Sequence, residues 1–291
     1  MGRLFATLFF FGATAALAQE PNLEALKWQA PPPAPVPDGG VPAEPPTPTV
    51  LAIRNTTETE YVEELLDDGK HVRFGTRDKG AVHVWWPSYY RPQGATVVVY
   101  LHGYYTDADG AFEHHHLSSQ FRDSNRNSVF VVPEAPSWRT DGAVWKDLGD
   151  LLDTVFRRVP KVKRPDGDLM VVGHSGAYRS VAEWVKTPKL ATVMLLDGHY
   201  GADKELKEFL ELTDNGLHQL VLVGFDTSQH SEWWLRKHPE AVKLDGVPFL
   251  YDKLPPEKLR AKVLYFYSER FDHFGIVTSG KVMPMLLHLL N

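Results

Sequence analysis

Leu169-Met170-Val171-Val172-Gly173-His174-Ser175-Gly176-Ala177-Tyr178-Arg179 is the stretch that decides how this chain folds. Four apolar residues run into a Gly-x-Ser-x-small turn, and a helix-compatible segment, Tyr178 to Lys186, follows. The pattern is a buried strand, a very tight turn and a helix. Gly173 and Ala177 are small because strand and helix must cross closely there, and Gly176 tolerates an unusual backbone. A serine at the tip of such a turn is pushed out of the sheet, above the following N–H groups and the positive helix end. Ser175 is therefore the candidate nucleophile. An ordinary strand-to-helix turn with a capping serine fits the same five residues, so the flanking chain has to decide.

Upstream, Ala95 to Leu101 is a continuous apolar run ending in His102-Gly103-Tyr104-Tyr105, and Ser128 to Val132 is another, stopped by Pro133-Glu134-Ala135-Pro136. Downstream, Thr192 to Leu196 ends in Asp197-Gly198, Leu217 to Val223 ends in Gly224-Phe225-Asp226, and Lys262 to Tyr267 is followed by Phe271-Asp272-His273-Phe274-Gly275. Runs of this kind mark strands buried on both faces, as in parallel sheets. Helical segments separate them: Ala108 to Arg122, Trp145 to Val159, Lys204 to Leu212 and Val282 to Leu290. Nearer the start, Thr59 to Asp67 reads as a short helix, and His71 to Phe74 with Ala81 to Trp86 as a hairpin. The alternation predicts an α/β chain with a doubly wound, mostly parallel sheet. In such sheets, sites form beyond the carboxyl ends of the strands, where Ser175, then Asp197 or Asp226, then His273 fall in that order.

The 291 residues carry a net charge of -6 and no basic stripe, which argues against a nucleic-acid partner. Lys161-Val162-Lys163-Arg164, the densest cationic run, reads as a solvated loop. Arg3, an apolar run from Leu4 to Leu17 and the small-x-small triplet Ala16-Leu17-Ala18 read as a signal peptide over residues 1–18. A proline-rich, disordered linker is expected over 19–49, and the globular domain over 50–291. The chain has no cysteine, which excludes disulfides, thiol chemistry and a lipid-modified cysteine. These features point to a secreted or periplasmic protein with no stable membrane span after signal cleavage.

From about Ala81 to its C-terminus the chain resembles the α/β-hydrolase superfamily. It is similar to poorly characterised secreted bacterial members carrying Gly-His-Ser-Gly-Ala/Gly-Tyr-Arg followed by a strand ending in Asp-Ala/Gly-x-Tyr, here Gly173 to Arg179 and Asp197-Gly198-His199-Tyr200. The resemblance implies an α/β-hydrolase fold and a serine hydrolase in which Ser175 attacks a carbonyl and His273, beyond the last strand, takes its proton. His230 is the runner-up base, and His174 packs or orients the elbow. The acid that would hold the imidazole tautomer is Asp197, favoured by the shared motif, or Asp226, at the commoner family position. The oxyanion hole would take one N–H from Gly176 and one from Tyr104, with a tyrosine hydroxyl over the pocket.

Three features invite other readings. Successive residues of His114-His115-His116 spread around a helix, so one ion cannot collect all three, and a polar helix face is expected. Asp107-Ala108-Asp109-Gly110 lacks the late Glu of a calcium loop and reads as a helix-capping turn, as Asp272 does beside His273. Trp85-Trp86, Trp233-Trp234 and Phe249-Leu250-Tyr251 are core or pocket aromatics, and Ser231 to Pro256 is long enough for a partial lid. No metal and no cofactor is expected. The expected activity is hydrolysis of a carboxylic ester through an acyl-enzyme, on a small-molecule or polymer-borne substrate. The alternatives are a peptidase or amidase on the same residues, and a catalytically silent envelope-binding module.

Overall fold

The apolar run that feeds Ser175 lies in the middle of the sheet, hydrogen-bonded to a parallel strand on each side. The computed structural model describes residues 60–212, 218–248 and 254–291. The expected signal peptide and proline-rich linker lie outside the described residues, as does Phe249-Leu250-Tyr251.

Among the described residues, ten strands form one sheet. They are β1 (Tyr61–Leu66), β2 (Gly69–Thr76), β3 (Gly80–Pro87), β4 (Thr96–Leu101), β5 (Ser128–Pro133), β6 (Leu169–His174), β7 (Leu190–Leu196), β8 (Gln219–Gly224), β9 (Val242–Leu244) and β10 (Val263–Tyr267). Their order across the sheet is β1-β2-β3-β5-β4-β6-β7-β8-β10-β9. The pairs among β1, β2, β3 and β5 are antiparallel. From β5 to β9 every pair is parallel. The helices are α1 (Ala108–His114), α2 (Leu117–Asp123), α3 (Leu148–Arg158), α4 (Tyr178–Trp184), α5 (Asp203–Glu211), α6 (Ser228–Leu235), α7 (Pro256–Leu259), α8 (Gly275–Thr278) and α9 (Val282–Leu289).

The unbroken apolar runs follow from the two-residue period of a strand in a sheet covered on both sides. Val97, Val99 and Leu101 of β4 pack with side chains of α3, α4, α5 and α6. Val98 and Tyr100 of the same strand pack with those of α1, α2, α8 and α9. Each fully buried side chain of this size is worth about 1.5–3 kcal/mol against exposure. The doubly wound, mostly parallel sheet expected from the sequence is therefore the one observed. The parallel register brings the strand ends level: His174 pairs with Leu196, and Leu196 with Val223.

Three local expectations are corrected. Thr59 to Asp67 does not yield a helix: Tyr61–Leu66 is a strand paired with β2. Asp67 and Asp68, both at positive φ (50° and 59°), make the tight turn that such a hairpin needs, and pairing overrides the helix propensity of the glutamates. The single helix expected over Ala108 to Arg122 is two helices, broken where His116 takes φ 50°. His115 at that break is buried rather than part of a polar face, and its Nδ1 bonds the Tyr100 hydroxyl at 2.8 Å. Within Ser231 to Pro256, the stretch long enough for a partial lid, the described residues include part of α6 and the edge strand β9, with 249–253 outside them. No helix among the described residues is long and apolar enough to cross a membrane.

Candidate active site

Ser175 follows β6 directly and sits at φ 52°, a left-handed conformation that costs a non-glycine residue about 1–2 kcal/mol. Close crossing explains the glycine before it. A Cβ on Gly173 would lie 3.0 Å from Val181 Cγ2 of α4 and 3.4 Å from Ala177 Cβ. Two other loops close on the serine. A Cβ on Gly103, after β4, would lie 2.7 Å from Ser175 Cβ, and one on Gly198, after β7, 3.1 Å from the Ser175 carbonyl oxygen.

The loop after β4 is held by residues that stay out of the chemistry. His102 is fully buried; its Nδ1–H donates to the Gly103 carbonyl (2.8 Å) and its Nε2 accepts from the Ala135 N–H (3.0 Å). The Glu134 carboxylate accepts from the Ala108 N–H. These bonds tie the loop to the end of β5, which accounts for the His-Gly and Pro-Glu strand ends. Tyr104 lays its ring against Gly176, where no Cβ could fit, and its hydroxyl accepts from Arg179 Nη1 at 3.4 Å. Arg179 also donates to the Arg139 carbonyl.

Asp197 follows β7 at φ 45° and is completely buried. Its Oδ2 accepts from His273 Nδ1 at 2.6 Å. The other partners come from the turn after β8. The N–H groups of Phe225 (2.9 Å), Asp226 (3.2 Å) and Thr227 (2.9 Å) donate to it, and so does the Thr227 hydroxyl (2.8 Å). Burial opposes the charge. The bonds from His273, Thr227 and Phe225 outweigh it and hold the Asp197 carboxyl down at about 2. Asp226, the alternative acid, is placed differently: its Oδ2 is 3.8 Å from His273 Nδ1 and its side chain is 48% exposed. Burial and the Asp197 charge push its carboxyl up.

With Asp197 ionised, Nδ1 of His273 carries the proton and Nε2 is left as the basic nitrogen. His174 Nε2 donates to the His273 carbonyl at 3.1 Å, so the residue before the serine anchors the backbone of the histidine. Burial, then the charges of His273 and His115, keep His174 well below its ordinary value and hence neutral. His230 lies elsewhere, bonded to Asp203 Oδ1 at 3.0 Å. Asp107 caps α1 through the Gly110 N–H, and Asp272 accepts from the Gly275 N–H, both as expected of capping turns. Trp85, Trp86 and Trp234 are core residues, while Trp233 is exposed. Thr227 was not singled out in the sequence. Its signal, a hydroxyl residue just past a strand end, is common to many helix starts.

No family model matches the chain, and no curated protein matches it in sequence. Solved structures do match its fold. The S-formylglutathione hydrolase from Agrobacterium tumefaciens is 11% identical over 77% of this chain and 95% of that one, at TM-score 0.46. A feruloyl esterase module from Clostridium thermocellum is 12% identical over 82% and 98%, at 0.49. A protein designated FAE is 12% identical over 81% and 96%, at 0.50. This chain has the α/β-hydrolase fold. At such identities only the fold is shared, so chemistry has to be argued from the residues gathered at the strand ends. A surface depression of about 340 Å³ lined by Arg77, Lys79, Trp145 and Arg158 shares no residue with that site.

Proposed function

We propose that the protein is a serine hydrolase that cleaves a carboxylic ester through an acyl-enzyme intermediate. The observation that carries this reading is the buried Asp197 bonded to His273 at 2.6 Å, directly before the Gly198 that closes on Ser175, a serine held at positive φ on a strand-to-helix turn. Ser175 Oγ attacks the ester carbonyl carbon and gives its proton to His273 Nε2. Asp197 stabilises the imidazolium, and the N–H groups of Gly176 and Tyr104 stabilise the oxyanion. The tetrahedral adduct collapses, and the alcohol leaves with the proton from His273. Water then repeats the sequence on the acyl-serine and releases the acid.

Exposed aromatic rings support an ester with an apolar part. Tyr105 and Trp138 pack edge to face at 5.0 Å beside the Tyr104 loop, and Phe274 stands 5.1 Å from the His273 ring. The leader-like sequence of residues 1–18 supports export, which N-terminal sequencing of the protein from culture medium or periplasm tests.

A fluorophosphonate probe at pH 7–8 tests the chemistry. Wild type is expected to be labelled, and Ser175→Ala and His273→Ala are not. A folded wild-type protein that takes no label overturns the proposal.

A further inference from the structure

Next to the Asp197 loop, but outside the proposed triad, three side chains converge that the hydrolytic chemistry does not use. His199 Nε2 lies 3.1 Å from Asp203 Oδ1, and His230 Nε2 lies 3.0 Å from the same oxygen. One ligand atom from each of the three residues lies within 4.8 Å of the other two. We propose that His199, Asp203 and His230 bind one divalent transition-metal ion of the zinc class, bracing the loop that carries Asp197.

The size of the cluster supports the assignment. Bonds of about 2.0–2.2 Å to a tetrahedral or octahedral ion place neighbouring ligand atoms roughly 2.8–3.6 Å apart. The two nitrogen–oxygen separations fall at the lower end of that range. Two imidazoles and one carboxylate are the donor set that zinc-class ions take, whereas calcium and magnesium prefer oxygen alone. The inner histidine is also oriented from behind. His199 is buried, and its Nδ1 bonds the Oγ of the buried Ser231 at 3.0 Å, leaving Nε2 aimed at the cluster. The Trp234 ring meets His199 edge-on at 5.4 Å and walls the site. The Asp203 and His230 side chains are 33% and 25% exposed, so an ion has a way in and a further position open to water.

The placement gives the ion a mechanical role. His199 lies two residues past Asp197, Asp203 begins α5, and His230 belongs to α6. Thr227, which donates twice to Asp197, directly precedes α6. An ion held by these three residues clamps the loop after β7 onto the helix after β8, the two segments that enclose the Asp197 carboxylate. Binding free energy then appears as folding stability.

A second constellation, Asp197, Asp226 and His273, also presents ligand atoms within 4.8 Å of one another, so the test must separate the two. Tag-free full-length protein is titrated with zinc chloride alone by calorimetry, with metal content measured after dialysis and Tm recorded with and without zinc. One equivalent is expected in wild type, with a rise in Tm. Affinity is expected to fall at least tenfold in His230→Gln and in Asp203→Asn, both partly exposed positions, and to stay unchanged in Asp226→Asn. No uptake by folded wild type overturns the proposal, as does undiminished binding in His230→Gln and Asp203→Asn, or binding lost in Asp226→Asn alone. Fluorophosphonate labelling of wild type, scored against Ser175→Ala, is read separately from zinc uptake, so failure of one reading is distinguishable from failure of the other.

Discussion

Among the described residues, the histidine–aspartate networks around Asp109 and Asp197 differ in what else the carboxylate binds, and the second lies at the strand ends near Ser175. In the first, Asp109 at the start of α1 receives Arg73 through both guanidinium arms, Nε at 2.5 Å and Nη2 at 2.6 Å, and His83 Nε2 at 2.8 Å. His83 passes the chain on to His71 (3.0 Å), and His71 to Glu64 (2.8 Å). Phe112 stacks on both imidazoles. In the second, no arginine or lysine among the described residues forms an ion pair with Asp197. It is surrounded by backbone N–H groups, one hydroxyl and the Nδ1 of His273.

A carboxylate already neutralised by a guanidinium gains little from an imidazolium, and a histidine wired at both nitrogens cannot accept a proton from a substrate. The first network joins β2, β3 and α1 into one scaffold. In the second, N–H groups, the Thr227 hydroxyl and His273 together meet the charge, at the level strand ends where Ser175 emerges. An aspartate beside a histidine is thus not a catalytic signature; what else the aspartate binds decides.

Asp197→Asn breaks the contrast most sharply. It removes the charge and favours the wrong imidazole tautomer, so kcat on a p-nitrophenyl ester should fall by about 10⁴. Asp226→Asn, at the exposed neighbour, should stay within about threefold. A loss of similar size in both would move the acid role to Asp226.

Asp109→Asn should do the reverse. Arg73 is left with half its partners, and stability to urea should fall by about 2 kcal/mol, less than for a fully buried pair because Asp109 is half exposed. The kcat of the folded fraction should stay within twofold. A collapse of kcat at unchanged stability would show that the two networks are coupled.

The smallest effect is in pH. Burial, then the charge of His83, pushes the His71 imidazole down from its ordinary 6.5. The unfolded chain therefore binds more protons just below pH 6.5, and stability is lost as pH falls. For a group lowered this far, the loss between pH 7 and pH 6 is about 0.7 kcal/mol. Urea melts at the two values should show it, and His71→Asn should flatten the slope by that amount. An unchanged slope would mean that His71 does not exclude the proton.

Much of the architecture was legible in the sequence because strands buried on both faces must be apolar throughout. Leu169–Val172, Ala95–Leu101 and Lys262–Tyr267 announce themselves, and the glycine and small residues around Ser175 report a close crossing that sterics require. Tyr61–Leu66 misled because its glutamates and leucines favour helix, and only pairing with β2 through the Asp67-Asp68 turn makes it a strand. The break at His115-His116 was hidden as well; there His115 is buried and bonds the Tyr100 hydroxyl, a partner on another element.

Which aspartate reaches His273 was open in the sequence. Asp197 and Asp226 both follow a buried strand, and their residue type and spacing are alike. Tertiary structure decided it, because burial and converging donors are properties of neighbours distant in the chain. Phe225, Asp226 and Thr227 turn their N–H groups onto Asp197, and by doing so leave the Asp226 side chain facing water. The sequence by itself determined a doubly wound sheet with a serine on a tight turn at its carboxyl edge. Only the fold decided which charge is taken out of water beside it.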